Sequence, residues 1–245
     1  MEARSLIRVR DVTVPESTAT PWGVLAEIRL VNSTAVPADL VHLVRHGEVE
    51  NPDGVLYGRL DGFGLSARGH RMAQLAADSL AGHDIRKLVA SPLQRTRESA
   101  APWTARFGLD PVIDERVIEP TNRFEGFNMR RDVPRRPSSW RYFVNPRRPS
   151  WGEPYLDVEA RMMSAVTDHW HSVDGGEVVL VSHQMPIVMV ARSVAGLPLP
   201  HNPSRRRCAL SSITTLERRG DAFIEVSYTE PAADLLRDAI DTGAV

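Results

Sequence analysis

The chain of 245 residues contains one cysteine, Cys208. No disulfide can form within it, so a disulfide-stapled scaffold is excluded, and the usage fits a reducing cytoplasm. Nothing beside Cys208 marks it as a nucleophile, and a lone cysteine reads as a small core residue. No apolar run is long enough to span a bilayer. Arg4, Arg8, Arg10 and Asp11 interrupt the start, where a signal peptide needs an apolar centre. Charge of one sign is also missing. The formal net charge of −1 argues against bulk attraction to nucleic acid or a membrane surface. Repeats and low-complexity tracts are absent. The remainder is ordinary globular composition, 42% hydrophobic and 25% charged, with enough length for one large domain or two small ones.

Residues 1–38 are broken by Pro15, Pro21 and Pro37 and read as a poorly ordered extension. The first apolar run is Leu40–Val44, and it stops at Arg45-His46-Gly47-Glu48. A loop follows, rich in turn formers from Asn51 to Gly64. Ser66 is placed to cap a helix over 67–81, with Met72, Leu75, Ala76 and Leu80 at helical spacing. Leu88-Val89-Ala90 reads as a second buried strand. Ser91-Pro92-Leu93-Gln94 has the form of a capping box with proline at the first helical position, and predicts a helix to about Phe107, stopped by Gly108. Arg95 and Arg97 fall in its first turns and make a natural anion site, since cations there oppose the helix dipole. Pro111-Val112-Ile113 is a short third strand, and Glu119 leaves it before Pro120.

Residues 120–154 differ in kind. Arginines, among them Arg130, Arg131, Arg135 and Arg136, alternate with Phe124, Phe127, Trp140, Tyr142, Phe143 and Trp151. Basic residues mixed with aromatics suit nucleic acid. They equally suit a lid over an anionic small molecule, and the near-zero net charge favours the lid. A helix is expected over about 155–172. Val178–Val181 is the strongest buried-strand run, and it ends in Ser182-His183 before a helix near Pro186. Residues 209–217 and 222–228 read as a hairpin about Gly220-Asp221. The tail from Pro231 reads as a short helix and a loose end.

Three apolar strands therefore end in polar residues: Arg45-His46, Ser91 with Arg95 beyond it, and Ser182-His183. Strands joined by helical crossovers run parallel, so these ends share one edge, where open α/β sheets hold ligands. Two histidines and Glu119 are a possible zinc set. Two arginines at the same edge would repel a cation, which favours an oxyanion. Forked arginine donors suit a phosphoryl group, and a neutral imidazole suits attack on it.

These residues carry a family resemblance. Arg45-His46-Gly47-Glu48, the block Ser91–Thr96, Glu119 and Ser182-His183 resemble the histidine phosphatase superfamily, also called phosphoglycerate-mutase-like. The resemblance spans about 40–228. It implies an α/β three-layer sandwich, with a mostly parallel central sheet, helices on both faces and the Arg/aromatic-rich insertion at 120–154. It further implies a catalytic domain over 39–230 and a tail over 231–245. His46 would be the nucleophile that becomes phosphohistidine. Glu119 would be the general acid and then the base. His183, Arg45, Arg95, Asn51 and Gly47 would surround the phosphate, with no metal and no cofactor. Departures exist: Val49 replaces a Ser or Thr, Asn51 stands too near the histidine, Phe124-Glu125-Gly126 follows Glu119 one residue early, and Gln184 replaces a Gly.

The expected activity is a metal-independent phosphomonoester hydrolase, cytoplasmic, acting on a small anionic phosphorylated metabolite. The alternatives are a cofactor-dependent phosphoglycerate mutase and a non-catalytic phospho-ligand-binding protein on the same fold. The mutase reading lacks an Asn-Glu-Arg-His run near the acid.

Overall fold

A computed structural model describes residues 36–129, 131–135 and 151–241. The extension at 1–35 and the central part of the arginine-rich segment, 136–150, lie outside the described residues. Expectations for them are therefore not addressed by the structure.

The strands are β1 (Leu40–Arg45), β2 (Ile85–Ala90), β3 (Val112–Ile113), β4 (Glu177–Ser182), β5 (Ile213–Arg219) and β6 (Ala222–Thr229). The helices are α1 (Ala67–Ser79), α2 (Gln94–Phe107), α3 (Tyr155–His171) and α4 (Gln184–Val194). One six-stranded sheet runs in the order β3-β2-β4-β1-β5-β6. β1, β2, β3 and β4 are mutually parallel, while β5 and β6 are antiparallel additions at one side. The expected mostly parallel sheet is present, with β1 and β4 side by side in its middle.

The period-two alternation of the strands splits the core into two layers. Val41, Leu43, Val178 and Leu180 face α3 and α4, packing on Val158, Met162 and Val166. Val44, Val179, Val181 and Leu88 face α1 and α2, packing on Ala76, Ala100 and Trp103. Helices thus cover both faces, which is why the strands read as continuous apolar runs. Each fully buried Leu or Val contributes about 1.5–3 kcal/mol, so the strand ends are held rigidly.

Local signals explain most boundaries. Ser66 caps α1, accepting from the Gly69 amide. Gly108 ends α2 in the left-handed region at φ 68°. The hairpin between β5 and β6 turns at Gly220. The tail forms a 3-10 turn at Ala233–Asp238, but its described end is not loose. The Ile240 amide donates to Glu48 and Asp241 pairs with Arg45.

Candidate active site

The β1–β4 register pairs Arg45 with Ser182, so the two strands end together. β2 ends at the same level, with the Ser91 amide donating to the Val181 carbonyl at 3.0 Å. Parallel order is what gathers Arg45, His46, Ser91, Arg95 and His183 at one edge; all five are buried.

His46 Nδ1 lies 2.7 Å from the Gly47 carbonyl oxygen. A carbonyl can only accept, so Nδ1 carries the proton and Nε2 keeps its lone pair. The His183 ring stands 5.3 Å away, centroid to centroid. His183 Nε2 is 2.8 Å from Ser91 Oγ, and its Nδ1 is 3.7 Å from Glu119 Oε2. Arg95 donates from Nη2 to the Gly58 carbonyl at 2.7 Å, and its guanidinium lies 4.8 Å from the centre of the Tyr57 ring. Arg45 donates from Nη1 to the Cys208 carbonyl at 2.7 Å. Asp241 accepts from Nη1 and Nη2 at 2.8 and 2.5 Å, a bidentate pair. Three buried nitrogens at this edge, Arg45 Nε, Arg95 Nε and His183 Nδ1, have no hydrogen-bond partner among the described residues.

The electrostatics follow from burial and from two fixed cations. Burial, with Arg95 and then Arg45 adding to it, pushes His46 well below its ordinary value. His183 is pushed down in the same way. Both rings are neutral near pH 7. Burial raises Glu119, and Arg95, Arg45, Arg206 and Arg161 oppose that without cancelling it. The result is a carboxyl that keeps its proton to higher pH than a surface glutamate. Burial pushes the Cys208 thiol up to about 11, so it is no thiolate nucleophile.

The structure corrects two sequence expectations about α2, and it adds local contacts for Gly47 and Asn51. The capping box at Ser91 does not form. α2 starts at Gln94 with Leu93 as its cap residue and no side-chain cap. Ser91 turns its hydroxyl to His183 instead. Arg95 and Arg97 do not act together. Two residues apart on a helix they point to different sides, so Arg95 is buried in the site and Arg97 is exposed. Gly47 is needed for packing. A Cβ there would stand 2.4 Å from the Gly69 carbonyl oxygen, where α1 presses against the loop. Asn51 spends its amide on the backbone of Val55, at 2.8 and 3.1 Å, closing the loop it begins.

Glu119 borders a narrow cavity of about 20 Å³ with Leu56, Trp151, Tyr155 and Met185. That is room for about one water. Of the arginine-rich segment, Pro120, Thr121, Asn122, Trp151, Gly152 and Glu153 reach this wall. Tyr57, Asp241 and Arg206 escaped the sequence reading. Tyr57 and Arg206 lie in no motif, and Asp241 comes from a tail 196 positions beyond Arg45. No local pattern marks such a partner.

The mostly parallel sheet with helices on both faces, carrying buried histidines and arginines at the edge where β1, β2 and β4 end, makes this an α/β protein with a polar site at its sheet edge. Residues 41–231 match the histidine phosphatase superfamily (branch 1), and the chain belongs to it. An uncharacterized protein of Mycobacterium tuberculosis is 50% identical over 198 residues, covering 79% of this chain and 96% of that one. A probable phosphoglycerate mutase of Yersinia enterocolitica is 30% identical over 181 residues, 71% of this chain and 83% of the other. Among solved structures, a mycobacterial glucosyl-3-phosphoglycerate phosphatase superposes with a TM-score of 0.63 at 24% identity, over 77% of this chain and 97% of that one. That likeness establishes the shared fold.

Proposed function

We propose that this protein is a phosphomonoester hydrolase working through a phosphohistidine on His46. One observation carries the reading: His46 stands 5.3 Å from the His183 ring and within the field of Arg95 and Arg45, and each of these three neighbours keeps a buried nitrogen with no hydrogen-bond partner among the described residues. A buried donor without an acceptor costs about 1–3 kcal/mol. A phosphoryl group brings three oxygens, one for each. Arg45 and Arg95 supply fixed positive charge for those oxygens. His183 donates from Nδ1, because the Ser91 hydroxyl donates to its Nε2.

The chemistry then follows in two halves. His46 Nε2 attacks phosphorus in line, forming the N–P bond as the P–O bond to the leaving group breaks. Glu119, protonated because it is buried, gives its proton to the departing oxygen. In the second half a water attacks the phosphohistidine. Glu119, now a carboxylate, takes the proton, and inorganic phosphate leaves with neutral His46 restored. The residues do this without a metal, since the arginines supply the field. A small phosphorylated metabolite in the cytoplasm is the proposed substrate class, in preference to nucleic acid or a membrane surface, because the formal net charge is only −1. The identity to a probable phosphoglycerate mutase keeps one competing reading, phosphoryl return to a second hydroxyl instead of water.

The experiment is phosphate release from a panel of phosphomonoesters, including 3-phosphoglycerate with and without a bisphosphoglycerate primer. Wild type turns over without primer, and His46→Ala loses about 10⁴-fold or more. Activity that appears only with primer assigns the mutase. Turnover that survives in His46→Ala refutes the nucleophile.

A further inference from the structure

A second pair of histidines with a glutamate lies away from the site above. His42 is the third residue of β1, Glu177 opens β4, and His83 sits in the connection from α1 to β2. β1 and β4 run parallel with Leu40 opposite Glu177, so this cluster is at the sheet end remote from Arg45 and Ser182. His42 Nε2 is 2.7 Å from Glu177 Oε2, and His83 Nδ1 is 2.8 Å from the same oxygen. The two rings stand edge to face, 5.7 Å apart. All three ligand atoms lie within 4.8 Å of one another, the one such convergence among the described residues.

We propose that His42, His83 and Glu177 bind a divalent transition-metal cation of the zinc class, which ties β1, β4 and the α1–β2 connection together. The donor set is two imidazoles and a carboxylate, which suits zinc. Tetrahedral ligands about 2.0–2.2 Å from zinc stand about 3.3–3.6 Å from each other. The observed separations bracket that range, so shifts of about an ångström complete the site. His83, partly exposed in its connection, is free to make them. His42 is oriented from behind: its Nδ1 is 2.9 Å from Thr215 Oγ1 on β5. A hydroxyl partner on the far nitrogen fixes the ring and presents the near nitrogen, as metal-bound histidines require.

Charge separates this cluster from the catalytic pocket. His46, His183 and Glu119 are the same residue types, but Arg45 and Arg95 stand among them. Among the described residues Glu177 pairs with no lysine or arginine, only with the two histidines. A cleft of about 470 Å³, lined by His42, His83, Thr215 and Glu230, opens beside the histidines. It admits the cation and leaves room for a water as fourth ligand. The simpler alternative is a shared-proton cluster in which both imidazoles donate to Glu177.

The test is calorimetric titration of the chelator-stripped full-length protein with zinc chloride, with thermal melts alongside. One equivalent binds with micromolar or tighter Kd. At a free zinc concentration a hundredfold above Kd, Tm rises by about 5–10 °C. His83→Ala, at a partly exposed position that folding tolerates, weakens binding by about 100-fold or more. His46→Ala leaves it unchanged. X-ray absorption on the zinc-loaded protein shows nitrogen and oxygen ligands at about 2.0–2.1 Å. Binding weaker than about 100 μM overturns the proposal and leaves the shared-proton cluster. So does zinc that His83→Ala does not displace, or that His46→Ala does displace. None of these readouts depends on phosphatase activity.

Discussion

Ser91 offers the sharpest test of how the site is built. Its side chain is fully buried, and its hydroxyl is 2.8 Å from His183 Nε2. The hydroxyl has one proton and, among the described residues, no other acceptor, so it donates to Nε2 and puts the His183 proton on Nδ1, the atom turned toward Glu119. Ser91→Ala removes that donor and leaves Nε2 buried and unbonded. An unsatisfied buried group costs about 1–3 kcal/mol. In a domain of this size each kcal/mol is about 2–4 °C, so Tm falls by about 2–12 °C. That loss is common to the free and the ligand-bound protein and cancels from affinity. What does not cancel is the tautomer. Without Ser91 the free ring relaxes to either form, and binding an oxyanion must select Nδ1–H again. We expect vanadate and phosphate to bind about tenfold more weakly, equivalent to about 1.4 kcal/mol. Vanadate inhibition and differential scanning fluorimetry on the same preparations measure the two effects separately. A lower Tm with unchanged vanadate affinity would mean that Ser91 only fills space. Unchanged values of both would refute the hydrogen bond.

Glu119→Gln removes the acid. kcat on alkyl phosphates falls about 10²–10⁴-fold, while activated aryl phosphates lose much less. The wild-type pH profile has two limbs with opposite signs. Activity is lost as pH falls through the lowered pKa of His46, which must be neutral, and as pH rises through the raised pKa of Glu119, which must be protonated. Glu119→Gln abolishes the alkaline limb alone, and a limb that persists assigns the acid elsewhere. Asp241→Ala opens the fork that Asp241 makes with Arg45, freeing Nη2 and leaving Nη1 on the Cys208 carbonyl. kcat/KM falls about tenfold and Asp241→Glu restores part of it; an increase in phosphate affinity would show that Asp241 competes with the substrate instead. Gly47→Ala drives a Cβ to 2.4 Å from the Gly69 carbonyl, a backbone contact that cannot yield cheaply. Soluble yield and Tm drop sharply, by more than the roughly 1–3 kcal/mol of ordinary overpacking. A stable variant would show that the loop and α1 separate easily.

The sequence by itself determined the sheet and the chemical residues at its edge. Leu40–Val44 and Val178–Val181 are apolar runs too continuous for a half-exposed sheet, which makes them central and parallel. Helical connections then place their ends together, so Arg45, His46, Ser91, Arg95 and His183 share an edge before any coordinate is known. The positions of Ser66, Gly108 and Gly220 were legible for the same reason: each acts through its own backbone neighbours. Only the tertiary structure decided where side chains spend their hydrogen bonds. Ser91 has the local form of a helix cap, yet it bonds a histidine 92 positions away, because β2 and β4 bring them within reach. Arg45 looks free in its motif, yet Asp241 of the tail holds it. Gly47 looks like a turn residue, yet its hydrogen is required by the close approach of α1. His42, His83 and Glu177 have no common motif at all, and only the parallel register makes them neighbours. Local patterns are set by the backbone over a few residues; a partner for a buried polar atom is set by which segments packing brings into contact, and that information is spread over the whole chain.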